Sequence, residues 1–201
     1  MDKTTTLRPV FGRIITALIA AIGVAVIVSL IASGQWRQLA LSLSPVLLTV
    51  YVVWMLFWAP CVRLSPAGVE LVNVIRTQTV TWPAIQRIET KYALTLYAND
   101  RKYVAWAAPA PSRFAAMSAS RRDVKGLPES TFSAENRIGL GDLPTSDSGA
   151  AAMRVRRAWE GYRDADLLGP VEGTGVTTTW HPIILAVFGV LVIGTVLSIA
   201  F

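Results

Sequence analysis

Among 201 residues there is one cysteine, Cys61, and one histidine, His181. A lone cysteine excludes an intrachain disulfide and any cysteine-based metal site. A lone histidine restricts Ser-His-Asp or Cys-His chemistry to His181. That residue abuts Pro182 at the entry to an apolar run and reads as interfacial. The carboxylate pairs Asp164 with Asp166 and Asp142 with Asp147 lie in polar segments and read as surface charge. Gly139-Leu140-Gly141 and Gly173-Thr174-Gly175 lack the preceding strand, following helix and downstream lysine or acid of a phosphate-binding loop. The expectation is therefore a non-enzyme, with no catalytic residue, no cofactor and no metal.

Charge is the second absence, because residues 14–32, 39–58 and 183–201 contain no Asp, Glu, Lys, Arg or His. Each run is 19 or 20 residues long. At helical rise that is roughly 28–30 Å, the thickness of a bilayer's hydrocarbon core. Backbone groups in lipid must bond within their own segment, so the runs predict three transmembrane helices, the first two forming a hairpin. Uncharged spans argue against an ion path or proton relay. The first run exceeds a signal-peptide core, shows no convincing cleavage site, and is followed within seven residues by the second. Pro45 is expected near the start of the second helix, where spare donors make it cheap.

Lysine and arginine set the expected orientation. The tail carries three (Lys3, Arg8, Arg13), the loop around Arg37 one, and residues 61–181 carry 15. The positive-inside rule puts the N-terminus and central block in the cytoplasm of a multi-pass cell-membrane protein, and the C-terminus outside. The net charge of +6 restates that rule and draws the basic face toward anionic lipid, not nucleic acid. Trp36, Tyr51, Trp54, Trp58 and Trp180 lie near span ends, where aromatic rings prefer the headgroup level. In the first span Ala17, Ala21, Ala25 and Ser29 recur every fourth residue, a small-residue ridge that permits close helix approach. Its partner, in this chain or another, is left open.

The block alternates apolar with polar residues over 62–64, 69–74, 78–82, 85–90, 93–97 and 101–107, with turn residues between, and so predicts an antiparallel meander. Trp82 shares a face with Val80 and precedes Pro83, so it is expected to anchor the core. Residues 109–149 are rich in Ala, Pro, Ser and Gly and read as a loop insertion. From 150 to 164, Ala151, Ala152, Val155, Ala158, Trp159 and Tyr162 fall on one stripe of an amphipathic helix, with Arg154, Arg156 and Arg157 on the polar side. Trp159 and Tyr162 join Trp82 as expected core anchors, and Asp147 or Ser148 as the helix cap. The stripe is expected to cover the mouth of the sheet.

The segment Val62-Arg63-Leu64-Ser65-Pro66-Ala67-Gly68-Val69, Asn73-Val74-Ile75-Arg76-Thr77, the corner Val80-Thr81-Trp82-Pro83-Ala84-Ile85, Ile88-Glu89, Ala93-Leu94-Thr95-Leu96 and Ala105-Trp106-Ala107-Ala108-Pro109 resemble the bacterial pleckstrin-homology-like (PH-like) domain membrane proteins of high-GC Gram-positive bacteria. The insertion and the third span depart from that pattern. The resemblance implies a small, half-open PH-like barrel, and with the apolar runs and charge distribution the expectation is an α+β membrane protein: residues 1–60 as tail and helical hairpin, 61–166 as a cytoplasmic PH-like half-barrel with a C-terminal amphipathic helix, 167–182 as linker, and 183–201 as the last transmembrane helix. It implies binding and assembly rather than catalysis. Function is accordingly expected to be that of an accessory or scaffold component of a membrane assembly, or alternatively a small accessory subunit of a transporter or membrane enzyme. Expected partners are membrane lipids and other membrane proteins or further copies of the chain. Arg63, Arg76, Arg87 and Lys91 are candidate headgroup contacts. Eukaryotic PH domains bind inositol lipids through a basic loop between their first two strands, whereas Ser65-Pro66-Ala67-Gly68 carries no base.

Overall fold

A computed structural model describes residues 4–111, 140–143, 146–169 and 175–200. In chain order these form β1 (Thr5–Leu7), α1 (Val10–Ala32), α2 (Trp36–Val53) continued by a π-helical turn (Trp54–Trp58), β2 (Cys61–Ser65), β3 (Gly68–Val72), β4 (Arg76–Thr81), β5 (Arg87–Glu89), β6 (Ala93–Ala98), β7 (Arg101–Pro109), α3 (Asp147–Asp164), β8 (Val176–Trp180) and α4 (Pro182–Ala200). Two compact units result, one of Met1–Arg8 with Cys61–Thr179, the other of Pro9–Pro60 with Trp180–Phe201. The class is α+β, as expected.

The first unit holds a five-stranded antiparallel sheet in the order β1-β2-β3-β4-β8 and a three-stranded sheet β5-β6-β7. Alternation decides which residues go inward: Val69 and Leu71 of β3, and Leu94, Leu96 and Ala98 of β6, are buried, while Thr95 and Tyr97 between them are half-buried. Each such valine or leucine side chain contributes roughly 1.5–3 kcal/mol on burial. Asn99 and Asp100 both take positive φ, 49° and 55°, which is what the two-residue turn closing β6 onto β7 requires. Asn73 ties the two sheets together. Its Nδ2 donates to the Val104 carbonyl at 2.9 Å and its Oδ1 accepts from the Trp106 amide at 2.8 Å.

The Ser146 side chain caps α3 by accepting from the Gly149 amide at 3.0 Å, so the cap lies one residue before the expected pair. Ala151, Ala152, Val155 and Ala158 enter the same buried cluster as the strands, so the stripe covers the sheets.

Five expectations are corrected. Residues 5–7, read as part of a basic tail, pair with β2 through Thr5↔Leu64 and Leu7↔Val62, and residues 176–180, read as linker, add to the far edge as β8. Short threonine-rich strands become legible only when a sheet edge is available to receive them. Trp82 does not end a strand but opens a 3₁₀ turn with Pro83 and Ala84, since β4 stops at Thr81. Pro45 lies inside α2, because that helix already begins at Trp36. Asp142 is buried, as described below. The insertion falls mostly outside the described residues, as do Gly139 and Gly173.

Among the described residues of the second unit, three helices are long and apolar enough to cross a membrane, with mean hydropathies of 2.9, 2.1 and 2.8. Small residues sit where helices approach. A Cβ on Gly23 would stand 3.0 Å from Val50 and 3.2 Å from Val46, and one on Gly194 would stand 2.6 Å from Ser44 Oγ. Polar side chains add interhelical bonds: Ser44 Oγ donates to the Leu191 carbonyl at 3.1 Å, and Tyr51 OH to that of Ile184 at 3.0 Å.

Candidate functional site

A cleft of about 200 Å³ opens in the first unit, lined by Ile85, Gln86, Arg87 and Ile88 on one side and by Arg156 and Trp159 of α3 on the other. Strand order explains its position. β5 is the outer strand of its sheet, so one edge meets α3 instead of another strand. Antiparallel pairing of Arg87 with Tyr97 and Ile88 with Leu96 holds the opposite edge.

Beneath the cleft lies a buried polar network. Arg156, 4% exposed, makes an ion pair of 2.6 Å with Asp142, 7% exposed. Asp142 Oδ1 also accepts from Thr90 Oγ1 at 2.7 Å, and Arg156 Nη2 donates to the Ile88 carbonyl at 3.1 Å. The arginine thus fastens α3 to the β5 edge. Ser148 Oγ donates to the Gly141 carbonyl at 2.7 Å, and a side chain on Gly141 would collide with the Thr90 carbonyl, so the 3₁₀ turn Leu140–Asp142 is held close against the sheet. Among the described residues the buried indole Nε1 of Trp159 has no hydrogen-bond partner.

The expected core anchors are brought together. Trp82 is 3% exposed, donates from Nε1 to the Ser65 carbonyl at 3.0 Å, and packs on Tyr162 with ring centroids 5.4 Å apart. Trp159 and Tyr162 are half-buried against the same cluster. The basic candidates are dispersed. Arg63 pairs with Glu70 at 3.7 Å. Arg87 pairs with Glu89 at 3.1 Å and lies 4.2 Å from the Tyr97 ring centroid, whereas Lys91 lies 5.4 Å from that of Tyr92. Arg76 begins β4 in the other sheet. Within the second unit Ala17, Ala21, Ala25 and Ser29 are exposed, and Gly12, Thr16 and Gly23 are the buried positions of α1.

Sequence reasoning missed Gln86, Ile88, Arg156 and Asp142. Arg156 stands four residues before Glu160, the spacing of a surface pair, and nothing local announces an acid 14 positions upstream as its partner.

Residues 59–140 match the family model described as a bacterial PH domain. The match starts just before β2, spans every strand from β2 to β7, and runs across most of the segment read as an insertion; β1, α3 and β8 lie outside it. It supports a PH-like domain, a kind of domain that binds rather than catalyses. No curated protein and no solved structure matches the chain.

Proposed function

We propose that the chain is a membrane-anchored interaction module, an accessory or scaffold component of a membrane protein assembly. The cleft between β5 and α3 carries this reading. It combines a β5 edge that faces α3 rather than another strand, apolar walls at Ile85 and Ile88, and, buried within the wall, the unpartnered Trp159 indole N–H. A partner segment that drew the indole outward and offered it a carbonyl would satisfy that donor, which unpaired costs about 1–3 kcal/mol. The helices supply the anchor. In this reading the N-terminus and the PH-like domain face the cytoplasm and the C-terminus lies outside, which agrees with the Lys and Arg distribution and with the pairing of β1 with β2.

The test is affinity purification in mild detergent with mass spectrometry, comparing the parent with Trp159→Phe, which keeps an aromatic ring and deletes the donor. Membrane proteins recovered with the parent and depleted with the variant support the cleft as the docking site. Equal recovery removes it.

A further inference from the structure

The strand register assigns one end of the five-stranded sheet to the chain's passage into the helices. Leu7 pairs with Val62, and Cys61 and Thr77 both pair with Val72, so the end of β1 and the starts of β2 and β4 lie together. Strand β8 returns to that end. The Thr81 amide at the far end of β4 donates to the Gly175 carbonyl at 3.3 Å, so β8 begins beside the end of β4 and finishes, at Trp180, beside its start. Two residues, Arg8 and Pro9, then separate β1 from α1; Ala59 and Pro60 separate the π-helical turn from β2; His181 alone separates β8 from α4. Connections this short reach no more than about 10 Å.

We infer that this end, with the β3–β4 reversal of Asn73, Val74 and Ile75 at its tip, is a contact surface for anionic lipid headgroups; the inference rests on the membrane-anchored reading above. Ile75 is 39% exposed and Trp180 is 55% exposed, giving two apolar side chains where a bilayer surface would receive them. Arg76 follows Ile75 directly, and Arg8 follows Leu7, the last residue of β1. Each such cation gains roughly 1 kcal/mol near an anionic leaflet. The opposite end is unlike this one. Its turn, Ser65-Pro66-Ala67-Gly68, is without charge and lies one strand length away, about 16 Å. Arg87 and Lys91 lie in or beside the other sheet, and Arg63 lies mid-strand in β2 paired with Glu70, so among the four basic candidates the geometry selects Arg76.

The test uses the full chain in phosphatidylcholine vesicles with and without phosphatidylglycerol, labelled with an environment-sensitive fluorophore at a cysteine replacing Ile75, Ala67 or Val24. Buried Cys61, 1% exposed, is checked as an unlabelled background. Quenching by shallow spin-labelled lipid is expected at Ile75→Cys in phosphatidylglycerol vesicles, and aqueous quenching at Ala67→Cys. Adding Arg76→Gln should lower the docked-to-undocked ratio about fivefold. A lipid-quenched Val24→Cys with a water-exposed Ile75→Cys overturns the inference. Equal quenching of Ile75→Cys without phosphatidylglycerol overturns its anionic part. A Val24→Cys label that lipid does not quench overturns the anchored reading itself.

Discussion

Trp82 shows how much one side chain can hold. It fills the angle between the β4 end and α3, bonds to the Ser65 carbonyl and stacks on Tyr162. Truncating a buried aromatic of this size costs roughly 3–5 kcal/mol, comparable to the total stability of a small domain. Trp82→Ala should therefore collapse the domain's thermal transition in the detergent-solubilised chain, while Trp106→Ala, at a position 56% exposed, should shift it only slightly. The Asp142–Arg156 pair follows a different rule, since two buried charges are worth little net but leaving one alone is expensive. Asp142→Leu and Arg156→Met are each expected to cost about 3–5 kcal/mol, and the double substitution much less than their sum. A double-mutant cycle by thermal unfolding measures this. Additive losses would mean that the pair is not coupled.

Among elements, the meander was legible because alternation and turn residues are local: Leu94 and Leu96 against Thr95 and Tyr97, closed by Asn99 and Asp100. The edge strands were not. Thr5–Leu7 and Val176–Trp180 are too short and polar to declare themselves, and they form where β2 and β4 present unpaired backbone. Helix contacts divide similarly. A four-residue series of small side chains marks Ala17, Ala21, Ala25 and Ser29, yet within the chain α1 meets α2 through Gly23. Gly23→Leu should destabilise the helical hairpin by about 1–3 kcal/mol, the cost of overpacking. The pair Ala21→Leu and Ala25→Leu should leave that stability near the parent's. Thermal stability in detergent decides, and a larger loss from the alanine pair would reverse the assignment.

For the whole molecule, chain connectivity makes the sheet and helices one topological problem. Strands β1, β2 and β8 each adjoin a helix in sequence, so if all three helices span, the helix ends joined to those strands share a side. A reporter fused after Phe201 should then read external, and one placed within residues 112–139 cytoplasmic. The reverse pair of signals would sink the orientation, and a matching pair would sink the odd number of spans.

The sequence by itself determined the properties that rest on local chemistry: three uncharged runs of bilayer length, strands whose period of two fixes their inner face, a helix with one apolar stripe, and too few histidines and cysteines for familiar nucleophile or metal sites. Only the tertiary structure decided which distant residues meet. It placed Asp142 under Arg156, enlisted residues just before the first and third spans as the sheet's edges, and left Trp159's indole N–H buried without a partner in the wall of a cleft between β5 and α3. The physical reason is that ion pairing, edge pairing and donor satisfaction depend on partners brought together in space, for which sequence separation carries no period to read.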